Sequence, residues 1–283
     1  MKKIVSFSGG RTSAYLCYLM KEMYGNAVDF VFMDTGAEHP ETYEFVRKCN
    51  DYFGLKLTCL RTEFNPELGK ANSYSVVSID DIKHDLKPFK EMMEKYGTPY
   101  NPGGAFCTDR MKLVPWTKYL NEKYGKGEYL TYLGIRADEP KRLKPRDGVA
   151  YLGDISDMEK KDIIDWWAAM PFDLEIPEHL GNCVFCIKKG VNKVALAARD
   201  EPELADMFWD ALRDPSVRVV EKRKSPPLEM YRGRQSFGQI IETFSVHSRD
   251  EIAATIRGMR RYESGSCSES CEVFSCSVDS DDK

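Results

Sequence analysis

Short apolar runs alternate with amphipathic stretches over the first half of the chain. Lys3–Phe7 reads as a buried strand. Thr12–Tyr24 then sets Ala14, Leu16, Leu19, Met20 and Met23 at helical spacing, and Val28–Met33 returns to a continuous apolar run. Such a change of period and back is a β-α-β unit. Pro40 stands where a first helical turn tolerates proline, Glu41–Phe53 carries Tyr43, Phe45, Val46 and Tyr52, and Lys56–Leu60 offers a third strand. The pattern loosens from Asn65 to Pro102, with one helix expected over Lys87–Tyr96, so about 65–104 is read as an insertion. A helix over Met111–Tyr124 and a strand over Tyr129–Ile135 resume the sheet. The remainder is mainly helical, with segments at Asp157–Trp167, Asn192–Asp200, Glu203–Leu212 and Arg249–Tyr262. Strands alternating with helices predict an α/β chain with a doubly wound, Rossmann-like parallel sheet and a mainly helical C-terminal part. The expected division is 1–155 for the α/β domain, 156–262 for a helical cysteine-containing region and 263–283 for a flexible tail.

The most informative residues follow the first strand. Ser8-Gly9-Gly10-Arg11-Thr12-Ser13 joins a strand to a helix through a glycine pair, which lets backbone approach an anion without a Cβ in the way. The helix behind it offers unpaired N–H groups and the positive end of its dipole. Ser6, Ser8, Gly9, Gly10, Arg11, Thr12 and Ser13 are therefore candidates for holding phosphate. In an open α/β sheet a ligand lies beyond the carboxyl ends of the strands. That rule adds Asp34, Thr35 and Gly36 after the second strand, and Gly134 and Arg136 after the later one. Arg136, Arg142 and Lys112 could neutralise a distant anion through N–H donors. Asp34 could bond a ribose or an adenine edge, help hold magnesium, or serve as an ordinary turn aspartate.

With 283 residues and 42% hydrophobic content, the chain can bury a substantial core. A formal charge of −4 gives no global reason to expect polyanion or membrane binding. Basic residues do crowd between Arg110 and Arg146, which favours a local anion site. No apolar stretch is long enough to span a bilayer, and Met1-Lys2-Lys3 runs straight into a strand, so a cytoplasmic location is expected.

The nine cysteines fall into two groups. Cys17, Cys49 and Cys59 lie on predicted helices or a strand, where a thiol acts as a small apolar side chain. Cys107, Cys183, Cys186, Cys267, Cys271 and Cys276 lie in loops. Cys183-Val184-Phe185-Cys186 has the spacing that turns two thiolates toward one metal or cluster, zinc or iron–sulfur; a redox pair is the competing reading. The four histidines show no metal-ligand spacing, and Trp166-Trp167 reads as core.

Taken together, these residues resemble the phosphoadenosine phosphosulfate (PAPS) reductase family of the adenine-nucleotide α-hydrolase-like fold, most of all its bacteriophage-encoded members. The Ser8–Ser13 loop is similar to that superfamily's pyrophosphate-binding loop (PP-loop), with Thr12 where the ATP pyrophosphatase branch has aspartate. Asp34-Thr35-Gly36 with Pro40-Glu41-Thr42 resembles a segment lying against the nucleotide. Cys107 through Lys112 and Pro115 resembles a segment with tandem cysteines, although Thr108 stands at the second position. Gly134-Ile135-Arg136 with Arg142 resembles a sulfonucleotide-binding segment.

The resemblance implies binding of PAPS, adenosine phosphosulfate (APS) or ATP, with magnesium where the nucleotide is ATP. It implies a [4Fe–4S] cluster on Cys107, Cys183, Cys186 and a tail ligand, with Cys271 assigned and Cys267 as the other candidate. It also implies a nucleophile, Cys267 or Cys276, although the family's Glu-Cys-Gly-x-His segment is absent. Sulfonucleotide reduction with a thioredoxin-like partner in a host cytoplasm is the first expectation. ATP-driven sulfur insertion into nucleic acid, with Arg218–Arg234 touching a phosphate backbone, is a less favoured alternative. A non-catalytic, cluster-bound nucleotide sensor is the third.

Overall fold

The computed structural model describes residues 1–100 and 105–259. The Gly103-Gly104 turn and the tail cysteines Cys267, Cys271 and Cys276 lie outside the described residues. Six strands form one sheet, β1 (Lys2–Phe7), β2 (Val28–Asp34), β3 (Thr58–Glu63), β4 (Ser73–Val77), β5 (Tyr129–Leu133) and β6 (Val149–Tyr151). Their spatial order is β4-β3-β2-β1-β5-β6, parallel except for β4, which pairs antiparallel with β3. This is the expected doubly wound α/β fold of the adenine-nucleotide α-hydrolase-like type. The chain leaves β1 toward β2 and β3 and returns on its other side as β5 and β6. A topological switch therefore falls between β1 and β5, where such sheets open a crevice.

Alternate strand residues serve opposite faces. Ile4, Val31, Met33 and Leu60 meet Trp116, Tyr119 and Leu120 of α4 (Val114–Tyr124). Val5, Phe7, Phe30, Phe32 and Cys59 meet the other layer, which begins with α1 (Arg11–Tyr24) and α2 (Pro40–Phe53). Cys17, Cys49 and Cys59 lie buried within that core.

Within the described part of the expected insertion, residues 65–100, the chain adds to the sheet. It supplies edge strand β4 and α3 (Lys87–Tyr96). β4 has no apolar run to announce it, because an edge strand of sequence Ser-Tyr-Ser-Val-Val faces water on one side. β3 begins two residues later than expected. Gly54 caps α2 in the left-handed region and Lys56 also has φ of 56°, so the chain is still turning where a strand was read. The helix expected from Met111 opens instead as a π-helical turn, Asp109–Leu113, which passes into α4.

The C-terminal helices are α5 (Lys160–Ala168), α6 (Val191–Asp200), α7 (Pro202–Arg213), α8 (Phe237–Phe244) and α9 (Arg249–Met259). Their apolar side chains run continuously into the core on the α1–α2 face of the sheet. Trp167 anchors the joint, fully buried and edge-on to Phe45 (4.9 Å) and Phe172 (5.7 Å). Its indole N–H donates to the Arg11 carbonyl at 3.0 Å. Trp167→Ala is expected to cost about 3–5 kcal/mol, as large aromatic truncations in closed cores do. Urea unfolding would measure it, and a loss below about 1 kcal/mol would show that the joint carries little.

Candidate functional site

The sequence after β1 folds into a tight turn whose hydroxyls bond one another. Ser13 Oγ lies 2.8 Å from Ser8 Oγ, accepts the Ser8 N–H at 3.2 Å and donates to the Gly10 carbonyl at 3.0 Å. Gly10 caps α1 with no side chain to satisfy the first-turn N–H groups, which suits that turn to an anion. Gly9 has φ of 82°. A Cβ there would meet Thr42 Cγ2 at 2.7 Å, with Val46 and Phe32 next. The missing side chain thus makes room for α2 behind the loop. Space in front of it for an anion, the reason expected from sequence, is not what a Cβ would fill.

Gly134 has a comparable packing role. Its Cβ would fall 2.8 Å from Ser13 Cα, so β5 and the first turn of α1 touch backbone to backbone across the switch point.

A cavity of about 320 Å³ opens in front of this turn. Ser8, Gly9, Gly10, Arg11, Thr12 and Arg136 form one part of its lining. Thr42, Lys160, Ile163, Ile164, Leu174, Ile176, Pro177, Glu178, Gly181 and Asn182 form the rest. Asn182 adopts φ of 57° at this wall, and the next residue is Cys183.

Arg11 and Arg136 reach the cavity already engaged. Arg11 grips Asp173 through Nε (2.7 Å) and Nη2 (2.9 Å) and also bonds the Leu174 carbonyl. Arg136 is buried, with Nε 2.7 Å from Asp138 and Nη1 3.2 Å from Thr12 Oγ1. A guanidinium therefore stands beside the Thr12 hydroxyl.

Ser6, Ser13, Asp34, Thr35, Gly36, Lys112, Gly134 and Arg142 are not among the residues that line the cavity. Ser6 is buried within β1 opposite Val31. Asp34, read as a partner for ribose, adenine or magnesium or as an ordinary turn aspartate, is fully buried and engaged by the protein. Arg61 Nε donates to it at 2.9 Å, the Gly36 N–H at 2.9 Å and the Tyr43 hydroxyl at 3.2 Å. Gly36, with φ of 70°, packs against Asp85 and Pro88. Arg142 pairs with Glu139. Arg218 and Arg223, from the segment considered for a nucleic-acid backbone, donate to the Lys95, Tyr96 and Thr98 carbonyls at the end of α3.

Glu38 is the main residue that sequence reasoning missed. It is 1% exposed and collects the hydroxyls of Thr35 (2.5 Å) and Tyr43 (3.1 Å) on Oε2. Its Oε1 accepts from Cys183 Sγ at 3.6 Å and lies 3.6 Å from Lys112 Nζ. Backbone joins the same two loops, since Glu38 bridges to Cys183 and the Val184 N–H donates to the Ala37 carbonyl at 3.0 Å. A glutamate within a polar Asp-Thr-Gly-Ala-Glu-His stretch carries no periodicity signal, so only the fold reveals it.

Val184 and Phe185, between the cysteines, are buried, and the Tyr231 hydroxyl holds the Phe185 carbonyl at 2.8 Å. The two apolar residues nail the loop to the core and leave Cys183 and Cys186 at its half-buried margin. Burial pushes the Cys183 thiol up, and the negative charges of Glu38, Cys186 and Cys107 push the same way against Lys112. Cys107, Cys183 and Cys186 thus share one electrostatic neighbourhood, and their chemistry suits a thiophilic centre. They are not arranged as one, because among the described residues no three His, Cys, Asp or Glu side chains are placed to hold a metal ion. The described residues do not by themselves make the expected cluster site.

The strand order, switch point and Ser-Gly-Gly turn define an α/β protein with an uncapped helix start at the carboxyl end of its first strand. The phosphoadenosine phosphosulfate reductase domain family matches residues 2–166, and the chain belongs to that family. It is 51% identical to the uncharacterized nin region protein ORF290 of Escherichia phage lambda, over 99% of this chain and 98% of that protein. It is also 29% identical to uncharacterized protein MJ0066 of Methanocaldococcus jannaschii, over 48% of this chain and 23% of that protein. Among the described residues no helix is long and apolar enough to cross a membrane.

Burial pushes the Asp34 carboxyl up to about 6, overcoming Arg61 and the Gly36 N–H. The folded chain therefore holds this proton more firmly than the unfolded chain, whose carboxyl sits near 3.8. That contribution to stability is complete below about pH 4 and is lost as pH rises through about 6. Relative to Asp34→Asn, the unaltered chain should lose up to about 3 kcal/mol across that window. Urea unfolding of both at several pH values checks this, and a constant difference would refute it.

Proposed function

We propose that the cavity binds an adenine nucleotide by its phosphate end at Ser8–Ser13 and presents a 5′-phosphosulfate for reduction by cysteine thiols. One observation carries this reading. The wall facing into the cavity at Gly181-Asn182 continues directly into Cys183, so the phosphate turn and a sulfur-bearing loop border one space. The Arg136–Thr12 contact supports a sulfonucleotide over magnesium-bound ATP, since a hydroxyl engaged by a guanidinium is a poorer magnesium ligand than a carboxylate.

In this reading the first-turn N–H groups and Arg136 stabilise the departing nucleotide phosphate. A thiolate of Cys267 or Cys276 attacks the sulfur of the phosphosulfate. A sulfur–sulfur bond forms, the bond from sulfur to the bridging oxygen breaks, and the nucleotide leaves with that electron pair. A thioredoxin-like dithiol then attacks the cysteine sulfur, releases sulfite and ends as a disulfide after its second thiol resolves the mixed intermediate.

The thiol chemistry of Cys107, Cys183 and Cys186, with Cys271 as fourth ligand, supports a [4Fe–4S] cluster as part of this proposal, and holding it would require these side chains to draw closer than the described residues place them. No step above passes through it.

Protein purified without oxygen should contain iron and sulfide in near-equal amounts. Cys183→Ala should bleach it, while Cys17→Ala, in the core, should not; stoichiometric zinc in a colourless protein would remove the cluster. Incubation with APS or PAPS and reduced thioredoxin should yield sulfite. Pyrophosphate from ATP with no sulfite would instead establish the sulfur-insertion chemistry.

A further inference from the structure

The arginines that line the cavity are each met by a carboxylate, Arg11 by Asp173 and Arg136 by Asp138. A second basic region has the opposite character. Between Val217 and Gln235 the chain carries six lysines and arginines against Glu221 and Glu229, in a protein whose formal charge is −4. Two of the six are spent on structure. Arg218 donates to the Lys95 carbonyl at 3.2 Å, and Arg223 to the carbonyls of Thr98 (2.6 Å) and Tyr96 (2.8 Å). Gly97 lets the segment lie flush on the end of α3, because a Cβ there would stand 2.7 Å from the Arg218 carbonyl oxygen. Lys222, Lys224, Arg232 and Arg234 remain. All four are exposed, and among the described residues none of their side chains forms an ion pair or a hydrogen bond. Unpaired like charges on one clamped segment repel one another, and an anion laid across them relieves that repulsion.

The neighbours decide which anion fits. The turn between Tyr231 and Gln235 passes through Gly233 (φ 75°) and Arg234 (φ 57°) and carries two of the four cations. Tyr231 holds the Phe185 carbonyl at 2.8 Å, so this turn is anchored beside the Cys183–Cys186 loop. Elsewhere on the segment, the Arg223 guanidinium lies 5.5 Å from the ring centres of both Tyr100 and Phe106, and Arg110 lies 5.1 Å from that of Tyr96. Phe106 directly precedes Cys107. The surface thus offers a group of unpaired cations and a layer of guanidinium and aromatic planes. A single-stranded polynucleotide matches both, with a row of phosphates for the cations and open base faces for the planes. An acidic polypeptide matches only the charge, and a duplex keeps its base faces stacked inside.

We propose that this surface binds a single-stranded polynucleotide, its phosphates on Lys222, Lys224, Arg232 and Arg234 and its bases against the Arg223–Arg110 layer. None of these residues lines the cavity, so the proposal stands independently of the nucleotide reading given above.

The test is fluorescence anisotropy of a labelled oligothymidylate of about 20 nucleotides with the full chain over a range of KCl concentrations. Micromolar binding is expected at about 50 mM KCl, and the plot of log K against log[KCl] should have a slope of about −3, each phosphate neutralised on a single strand contributing about −0.7. Replacing all four cations (Lys222→Gln, Lys224→Gln, Arg232→Gln, Arg234→Asn) should weaken binding at least about tenfold and bring the slope near zero. Asparagine tolerates the left-handed backbone at position 234. Lys222→Gln with Lys224→Gln alone should remove about half of the slope, and repeats the test should the fourfold replacement disturb the turn. A duplex of the same length and polyglutamate of the same charge should each bind at least about fivefold more weakly. The proposal falls if oligothymidylate does not bind, if binding and slope survive loss of the cations, or if the duplex binds as well as the single strand. Polyglutamate binding as tightly as oligothymidylate would overturn it too and give the surface to an acidic polypeptide. The nucleotide reading is untouched by each of these results, since its own test is the formation of sulfite.

Discussion

The first turn of α1 must hold its position although its own sequence gives it no side-chain cap, and the rest of the site depends on how that is done. Ser13 ties the turn to Ser8 and to the Gly10 carbonyl. From β5, the bare backbone of Gly134 closes against Ser13. From α5, the Trp167 indole takes the Arg11 carbonyl, and from the following loop Asp173 takes the Arg11 guanidinium. These anchors come from distant parts of the chain, so the turn is fixed by tertiary structure rather than by helix propensity.

Much of this was legible in the sequence because buried parallel strands read as continuous apolar runs, and Ile4-Val5-Ser6-Phe7 before Ser8-Gly9-Gly10 is such a run. α3 was read to its observed ends, since proline opens it and glycine closes it. β4 and β6 escaped because one is a polar edge and the other has three residues. α8 escaped because its eight residues give barely two turns of periodicity. Within the site, the glycine turn was visible because its chemistry is contiguous in sequence. The partners of Asp34 were not, since Arg61 lies 27 residues away and reaches it only through the β2–β3 pairing. The wall of Leu174, Ile176 and Glu178 was invisible for a similar reason: a loop lining a cavity has neither period.

Charge pairing bears on how the cavity can act. Arginines near a phosphate turn suggest a strongly positive pocket, yet here Asp173, Asp138 and Glu139 meet them. Paired guanidinium groups are held in fixed orientations, which lowers the reorganisation needed when they meet an anion. The same pairing lowers the net attraction for a highly charged ligand. Orientation is gained and raw electrostatic affinity is given up, which is consistent with discrimination mattering more than tightness.

The family segment ends at residue 166, whereas the similarity to the lambda protein runs the length of the chain. The phosphate turn, Arg136 and Glu38 fall inside that segment. Leu174, Ile176, Glu178, Asn182 and the Cys183–Cys186 loop fall beyond it. Six of the sixteen residues that line the cavity thus lie outside the part that defines the family, joined to it through the Glu38–Cys183 bridge and the Arg11–Asp173 clamp. In an α/β protein the sheet fixes where a ligand sits, while loops brought against the strand ends decide what that ligand is. The boundary at 166 separates those two roles here, so what distinguishes this branch must be sought between Asp173 and Cys186.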